Sequence, residues 1–182
     1  MNDDNRLRST TILAVLADGR LAMGGDGQVS LGQMIVKGGS RKVRPVFDGR
    51  VLTGFAGAGA DAITLRERFE TKLTEYAGNV LRASVELARE WRADKYLRNL
   101  EAMMLVGDRE HLLTLGGNGE ILEPEDGLAA IGSGAGYALA AARALRRHTA
   151  LAPHLVVEEA LRLAAELCVY TNDHILVERL EG

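Results

Sequence analysis

Thr10, Asp26 and Lys42, all in the first quarter of the chain, are of the residue types that carry out acyl transfer, and Ser133 lies further on between two glycines. A threonine hydroxyl is a poor nucleophile near neutral pH and needs a base beside it; a free α-amine on the same residue is one such base. That amine titrates at about 7.7–8.0, so a nearby cation can leave it neutral enough to accept a proton, whereas a side-chain amine near about 10.4 stays charged. Lys42 would supply the cation, Asp26 would hold the lysine, and a glycine N–H would stabilise the tetrahedral oxyanion. The scheme works only if Thr10 is a chain end, because while Ser9 acylates its nitrogen the base is an amide.

Each of these residues also has a plainer reading. Asp26, between Gly25 and Gly27, suits an Asx turn, and Lys42 suits a solvated strand. Ser133 stands at a strand-to-helix turn, but a nucleophile elbow would need glycine at 131 and 135, where Ile and Ala occur, so taken alone it reads as a helix N-cap. Gly57-x-Gly59-x-x-Ala62 formally matches a dinucleotide fingerprint. That fingerprint requires a βαβ unit with parallel strands and an acidic residue about 20 positions on. His111, His148, His154 and His174 show no metal-ligand spacing, and the single Cys168 excludes an internal disulfide and a cysteine-based zinc site.

Composition bounds the class. Twenty-two basic and 25 acidic side chains in 182 residues leave a net charge of −3, which gives no electrostatic reason to expect nucleic acid. No apolar run reaches the ~18 residues of a membrane span, so a soluble, cytoplasmic single domain is expected. The 21 glycines, about 12% against an average near 7%, imply many tight turns and close backbone approaches. Met1–Ser9 is polar and stands ahead of an abrupt apolar run from Thr10.

The elements that must position these residues follow from periodicity. Short apolar runs broken by Asp18-Gly19, Gly24–Gly27, Gly38-Gly39 and Asp48-Gly49 predict about five strands up to Phe55, joined as hairpins. Ala62, Leu65, Phe69, Leu73 and Tyr76 predict one helix face; Leu81, Val85, Ala88 and Trp91 predict another. Strands return at Ala102–Val106, His111–Leu115, Glu120–Leu122 and Leu128–Ile131. Two more helices follow, on Tyr137, Ala138, Ala141 and Leu145 and on Val156, Ala160, Leu163 and Leu167, then an edge strand at His174–Glu178. The order predicts an α+β fold in four layers, αββα, with two antiparallel sheets face to face and a helix pair outside each.

The chain resembles the HslV (ClpQ) family of proteasome-like, ATP-dependent protease subunits. The resemblance is carried by Thr10-Thr-Ile12, Gly25-Asp-Gly-Gln28, Lys37-Gly38, Lys42-Val-Arg44, Gly54-Phe-Ala-Gly57 with Ala60-Asp-Ala62, Val85-Glu-Leu-Ala88 with Trp91-Arg92, Gly117-Asn-Gly119, Ile131-Gly-Ser-Gly134 with Tyr137-Ala138, and Tyr170-Thr-Asn172, in order along nearly the whole chain. It implies an N-terminal-nucleophile hydrolase fold and a threonine protease. Residues 1–9 would be a leader removed on maturation, and 10–182 the single protease domain. Thr10 would be the nucleophile, Asp26 and Lys42 the tuning pair, Ser133 the serine beside the threonine amine and Gly54 the oxyanion donor. It further implies a sodium ion on main-chain carbonyls of Ala165, Cys168 and Thr171, with Ala165 standing where the family commonly has glycine.

The same resemblance implies two stacked hexameric rings fed with unfolded protein by a hexameric HslU-type AAA+ ATPase. This chain has no Walker sequence, so ATP hydrolysis must come from that partner. An Ala-rich third helix (Ala138–Ala144) and Ala102-Met-Met-Leu105 are compatible with such an assembly. The chain departs from its relatives at Pro45, which removes a strand N–H near Lys42 and calls for an edge strand or a solvent-facing nitrogen. It departs again in the nine residues before Thr10, where many relatives have only an initiator methionine. The competing readings are a non-catalytic ring protein of the same fold and, further off, a nucleotide-binding domain.

Overall fold

The computed structural model describes residues 7–8, 10–57, 59–95, 97 and 102–181. Met1–Arg6 and Ser9, most of the expected leader, lie outside them. The elements run β1 (Leu7–Arg8), β2 (Thr11–Ala17), β3 (Arg20–Gly25), β4 (Val29–Leu31), β5 (Met34–Lys37), β6 (Val43–Val46), β7 (Val51–Ala56), α1 (Gly59–Glu75), α2 (Val80–Ala93), β8 (Met103–Gly107), β9 (Leu112–Gly116), β10 (Ile121–Leu122), β11 (Leu128–Gly132), α3 (Ala135–His148), α4 (Pro153–Leu167) and β12 (Leu176–Leu180).

Among the described residues every strand pairing is antiparallel. One sheet has the order β11-β2-β3-β12, a second β10-β9-β8-β7-β6, and a small third β1-β4-β5. Alternation along the strands sorts the apolar residues into three interiors, because successive side chains point to opposite faces. Ile12, Ala14, Leu21, Met23, Leu52, Leu105 and Ile131 fill the space between the two large sheets. Phe69, Leu73, Leu87, Trp91 and Met104 seal α1 and α2 onto the second sheet, and Leu13, Val15, Val157, Ala160 and Leu161 seal α3 and α4 onto the first. This is the four-layer αββα sandwich. With no parallel neighbour for β7, the Gly57-x-Gly59 stretch is not a dinucleotide turn.

Three helix faces differ from the periodicity. In α3, Ala138 is buried together with Ala142, Ala141 and Leu145 are partly buried, and Tyr137 is exposed. In α2 the buried set is Val80, Ala83, Ser84, Leu87, Ala88 and Trp91, with Leu81 exposed, because the face is anchored by the Asn79 cap and by Trp91, whose indole N–H donates to Leu97 O at 2.9 Å. In α4, Val156 and Ala160 are buried as expected, but Leu163 and Leu167 are exposed and Leu161 and Ala164 face the sheet instead. Pro45 lies in β6 at the edge of its sheet, opposite Leu52 of β7, the kind of strand to which proline is confined. In Ala102-Met-Met-Leu105, Ala102, Met104 and Leu105 are buried and Met103 is exposed.

Candidate active site

The site forms where the first strands of both large sheets begin. Thr10 precedes β2 and is buried, and its carbonyl accepts the N–H of Ser133 at 2.9 Å. That approach is possible because Gly132, at φ +95°, has no side chain: a Cβ there would lie 1.8 Å from the Thr10 oxygen. Ser133 is not a helix cap. The N-cap of α3 is Gly134, and the Ser133 hydroxyl instead points to the Thr10 carbonyl at 3.4 Å.

Asp26 follows β3, which pairs with β2 so that Ile12 lies opposite Gly25 and the carboxylate arrives beside the nucleophile's strand. It is fully buried and accepts four hydrogen bonds: from Lys42 Nζ (2.7 Å), Thr11 N (2.8 Å), Gln28 N (2.9 Å) and Asn172 N (3.3 Å). The bond from Gln28 N is the Asx-type turn expected from Gly-Asp-Gly, so the turn and the ion pair coexist in one carboxylate. Lys42 enters from just before β6 with only 5% of its side chain exposed. Burial pushes its ammonium below the usual lysine range, opposed by the charge and hydrogen bond of Asp26. A buried pair of this kind contributes little to net stability, which points to a chemical use.

Gly54 is central in β7, opposite Val43 of β6. A Cβ there would come within 2.9 Å of Ile12 Cγ2 and 3.0 Å of Met23 Sδ, so the glycine lets the two sheets close where the site forms. Its neighbours Thr53 and Phe55 line a cavity of about 260 Å³ together with Thr10 and Lys42. Val29, Ala62, Ile63 and Met104 add apolar wall, and Arg41, Arg44 and Arg66 add positive charge. A second, more open cavity of about 650 Å³, bordered by Arg50, Arg109 and Arg179, contains none of the expected site residues.

Ala165 is in the last turn of α4, where helix carbonyls lack intrahelical donors, and Cys168 is its C-cap. Thr171 N donates to Cys168 O at 3.0 Å, closing a turn directly after the helix. Main-chain carbonyls are hard oxygen donors, the ligand type that a hard cation of low charge takes. Among the described residues no cluster of His, Cys, Asp and Glu could hold a metal. The motifs Thr10-Thr11 and Tyr170-Thr-Asn172 gave Thr11 and Asn172 no part in the site, and gave Thr171 only a main-chain one. Their roles depend on a contact spanning 160 positions, which no local spacing encodes.

The model of the proteasome subunit family matches residues 7–179. The ATP-dependent protease subunit HslV of Desulfovibrio desulfuricans is 58% identical over 173 residues, spanning 94% of this chain and 98% of that protein. HslV of Chlorobium luteolum is 56% identical, spanning 96% of each. The crystal structure of eukaryotic HslV from Trypanosoma brucei superposes with a TM-score of 0.89 at 42% identity, covering 94% of this chain and 99% of that one. With the family model matching residues 7–179, more than half of the residues shared with two HslV subunits along nearly the full length, and a TM-score of 0.89 to a solved HslV, the chain belongs to the proteasome subunit family, in its HslV branch.

Proposed function

We propose that this chain is the peptidase subunit of an HslUV-type ATP-dependent degradation complex and acts as a threonine endopeptidase. The Thr10 oxygen attacks the substrate carbonyl carbon while the freed Thr10 amine takes the hydroxyl proton. The oxyanion is met by the Gly54 N–H, the amine returns the proton to the leaving nitrogen, and water then hydrolyses the acyl ester by the same route. Lys42 lowers the proton affinity of the amine, and Asp26 keeps Lys42 charged and in place. Ser133 holds the main chain of Thr10. The observation that carries this reading is the Asp26 carboxylate bonding both the Lys42 ammonium and the N–H of the residue after the nucleophile.

Release of residues 1–9 would free the Thr10 amine; of that segment, Leu7–Arg8 pairs antiparallel with Ser30–Leu31. Attack of the Thr10 hydroxyl on the Ser9 carbonyl moves the acyl group from nitrogen to oxygen, and hydrolysis of that ester releases residues 1–9 and the amine.

Sodium on the carbonyls of Ala165, Cys168 and Thr171 would brace the turn after α4. Two stacked hexameric rings in the cytoplasm, served by an HslU-type ATPase that delivers unfolded protein, fit the apolar residues left at the surface. These are Met34, Ile35 and Val36 on β5, and Leu163, Leu167 and Val169 at the end of α4. Degradation of an unfolded protein by the purified chain with a HslU-type ATPase and ATP tests the reading. Activity lost in Thr10→Ala supports it, and activity unchanged in Thr10→Ala overturns it.

A further inference from the structure

We infer that Thr171 is a positioning residue for the nucleophile, acting through the hydroxyl of Thr11; this rests on the threonine-protease reading above. Thr11 is fully buried and Thr171 is 4% exposed. Their Oγ1 atoms are 2.6 Å apart, and Thr11 Oγ1 also accepts the N–H of Gly134 at 2.8 Å. The peptide unit joining the nucleophile to Thr11 is therefore gripped at three points: Thr10 O by Ser133 N, Thr11 N by Asp26, and the Thr11 hydroxyl by Thr171 and Gly134. The Thr10 hydroxyl and amine both hang from the Cα just before this unit, so its orientation sets where they point. The next residue extends the grip to the carboxylate. Asn172 N donates to Asp26 Oδ2, its Oδ1 accepts the Gly27 N–H at 2.9 Å, and its Nδ2 donates to Gly38 O at 2.9 Å.

A main-chain sodium ligand at 171 could be provided by any residue, because only its carbonyl is used. The buried hydroxyl is what requires threonine or serine there. The short turn after α4 thus couples its own geometry to both Thr11 and Asp26.

The test compares Thr171→Val, which keeps the shape and removes the hydroxyl, with Thr171→Ser, which keeps the hydroxyl, in assembled and processed enzyme on a fluorogenic peptide. The expected result is a fall in kcat of about tenfold for Thr171→Val, the worth of one buried hydrogen bond, with KM unchanged and Thr171→Ser within about twofold of wild type. In the double variant Thr11→Val/Thr171→Val the two losses should be less than additive. An active wild type indistinguishable in kcat from Thr171→Val, a Thr171→Ser as impaired as Thr171→Val, or additive losses would overturn the inference. If Thr171→Val does not assemble, Thr11→Val against Thr11→Ser reads the same bond from its other end, under the same criteria. A wild type that hydrolyses no peptide removes the protease reading itself, and this inference with it.

Discussion

Removing either partner of the Asp26–Lys42 pair should abolish peptide hydrolysis, yet the two losses should differ in stability. In Asp26→Asn the Lys42 ammonium stays 5% exposed without its counter-charge, and the new amide NH2 faces donors whichever oxygen it replaces: Gln28 N and Asn172 N on one side, or Thr11 N and Lys42 Nζ on the other. Breaking a buried pair in this direction costs about 3–5 kcal/mol. In Lys42→Met the desolvated ammonium is gone, and the Asp26 carboxylate keeps its three main-chain donors, so the cost should be about 1–2 kcal/mol. Chemical denaturation of both variants at one fixed protein concentration, with peptidase kcat/KM measured alongside, gives the comparison. Lys42→Met as destabilising as Asp26→Asn, or either variant retaining wild-type hydrolysis, would refute the reasoning.

Four further outcomes are expected. Because burial lowers the Lys42 ammonium, the alkaline limb of kcat/KM should fall with a midpoint below the ordinary 10.5, and Lys42→Arg should not reproduce that limb. The same group should contribute the opposite slope to stability. The unfolded chain holds this proton more tightly, so between the lowered folded value and 10.5 its contribution rises with pH, and urea titrations across that window check the sign. Gly132→Ala should remove activity and lower the melting temperature sharply, since its Cβ would meet the Thr10 carbonyl at 1.8 Å; unchanged melting would contradict the packing. Ser84→Ala should leave stability unchanged or raise it by about 1 kcal/mol, because among the described residues the buried Ser84 hydroxyl has no hydrogen-bond partner; thermal melting decides.

Much of this was legible in the sequence, and the misses have physical causes. The turn glycines and alternating runs placed the main strands, and the structure brings Thr10, Asp26, Lys42 and Ser133 into one region. Short β4 was hidden because Val29–Leu31 is too brief for a period-2 pattern to register. The face of α4 was rotated because apolar residues occur nearly all round that helix, and only tertiary packing decides which go inside; in α2 the expected stripe ran along the edge of the buried face, where Leu81 is exposed and Ala83, Ser84 and Leu87 take the centre. The surplus of glycine implied close backbone approaches, and Gly54 and Gly132 are two of them. They make room chiefly for Ile12, Met23 and the Thr10 carbonyl, that is, for the site's own walls. The Thr11–Thr171 contact was invisible because a hydroxyl's partner 160 residues away leaves no local trace.

The central claim, that Thr10 works as a chain end, is tested most directly by intact mass and N-terminal sequencing of purified protein. A wild-type chain beginning at Thr10, with Thr10→Ala retaining all nine preceding residues, is the predicted result. A wild type that keeps Met1–Ser9 after prolonged incubation while hydrolysing peptides would contradict it.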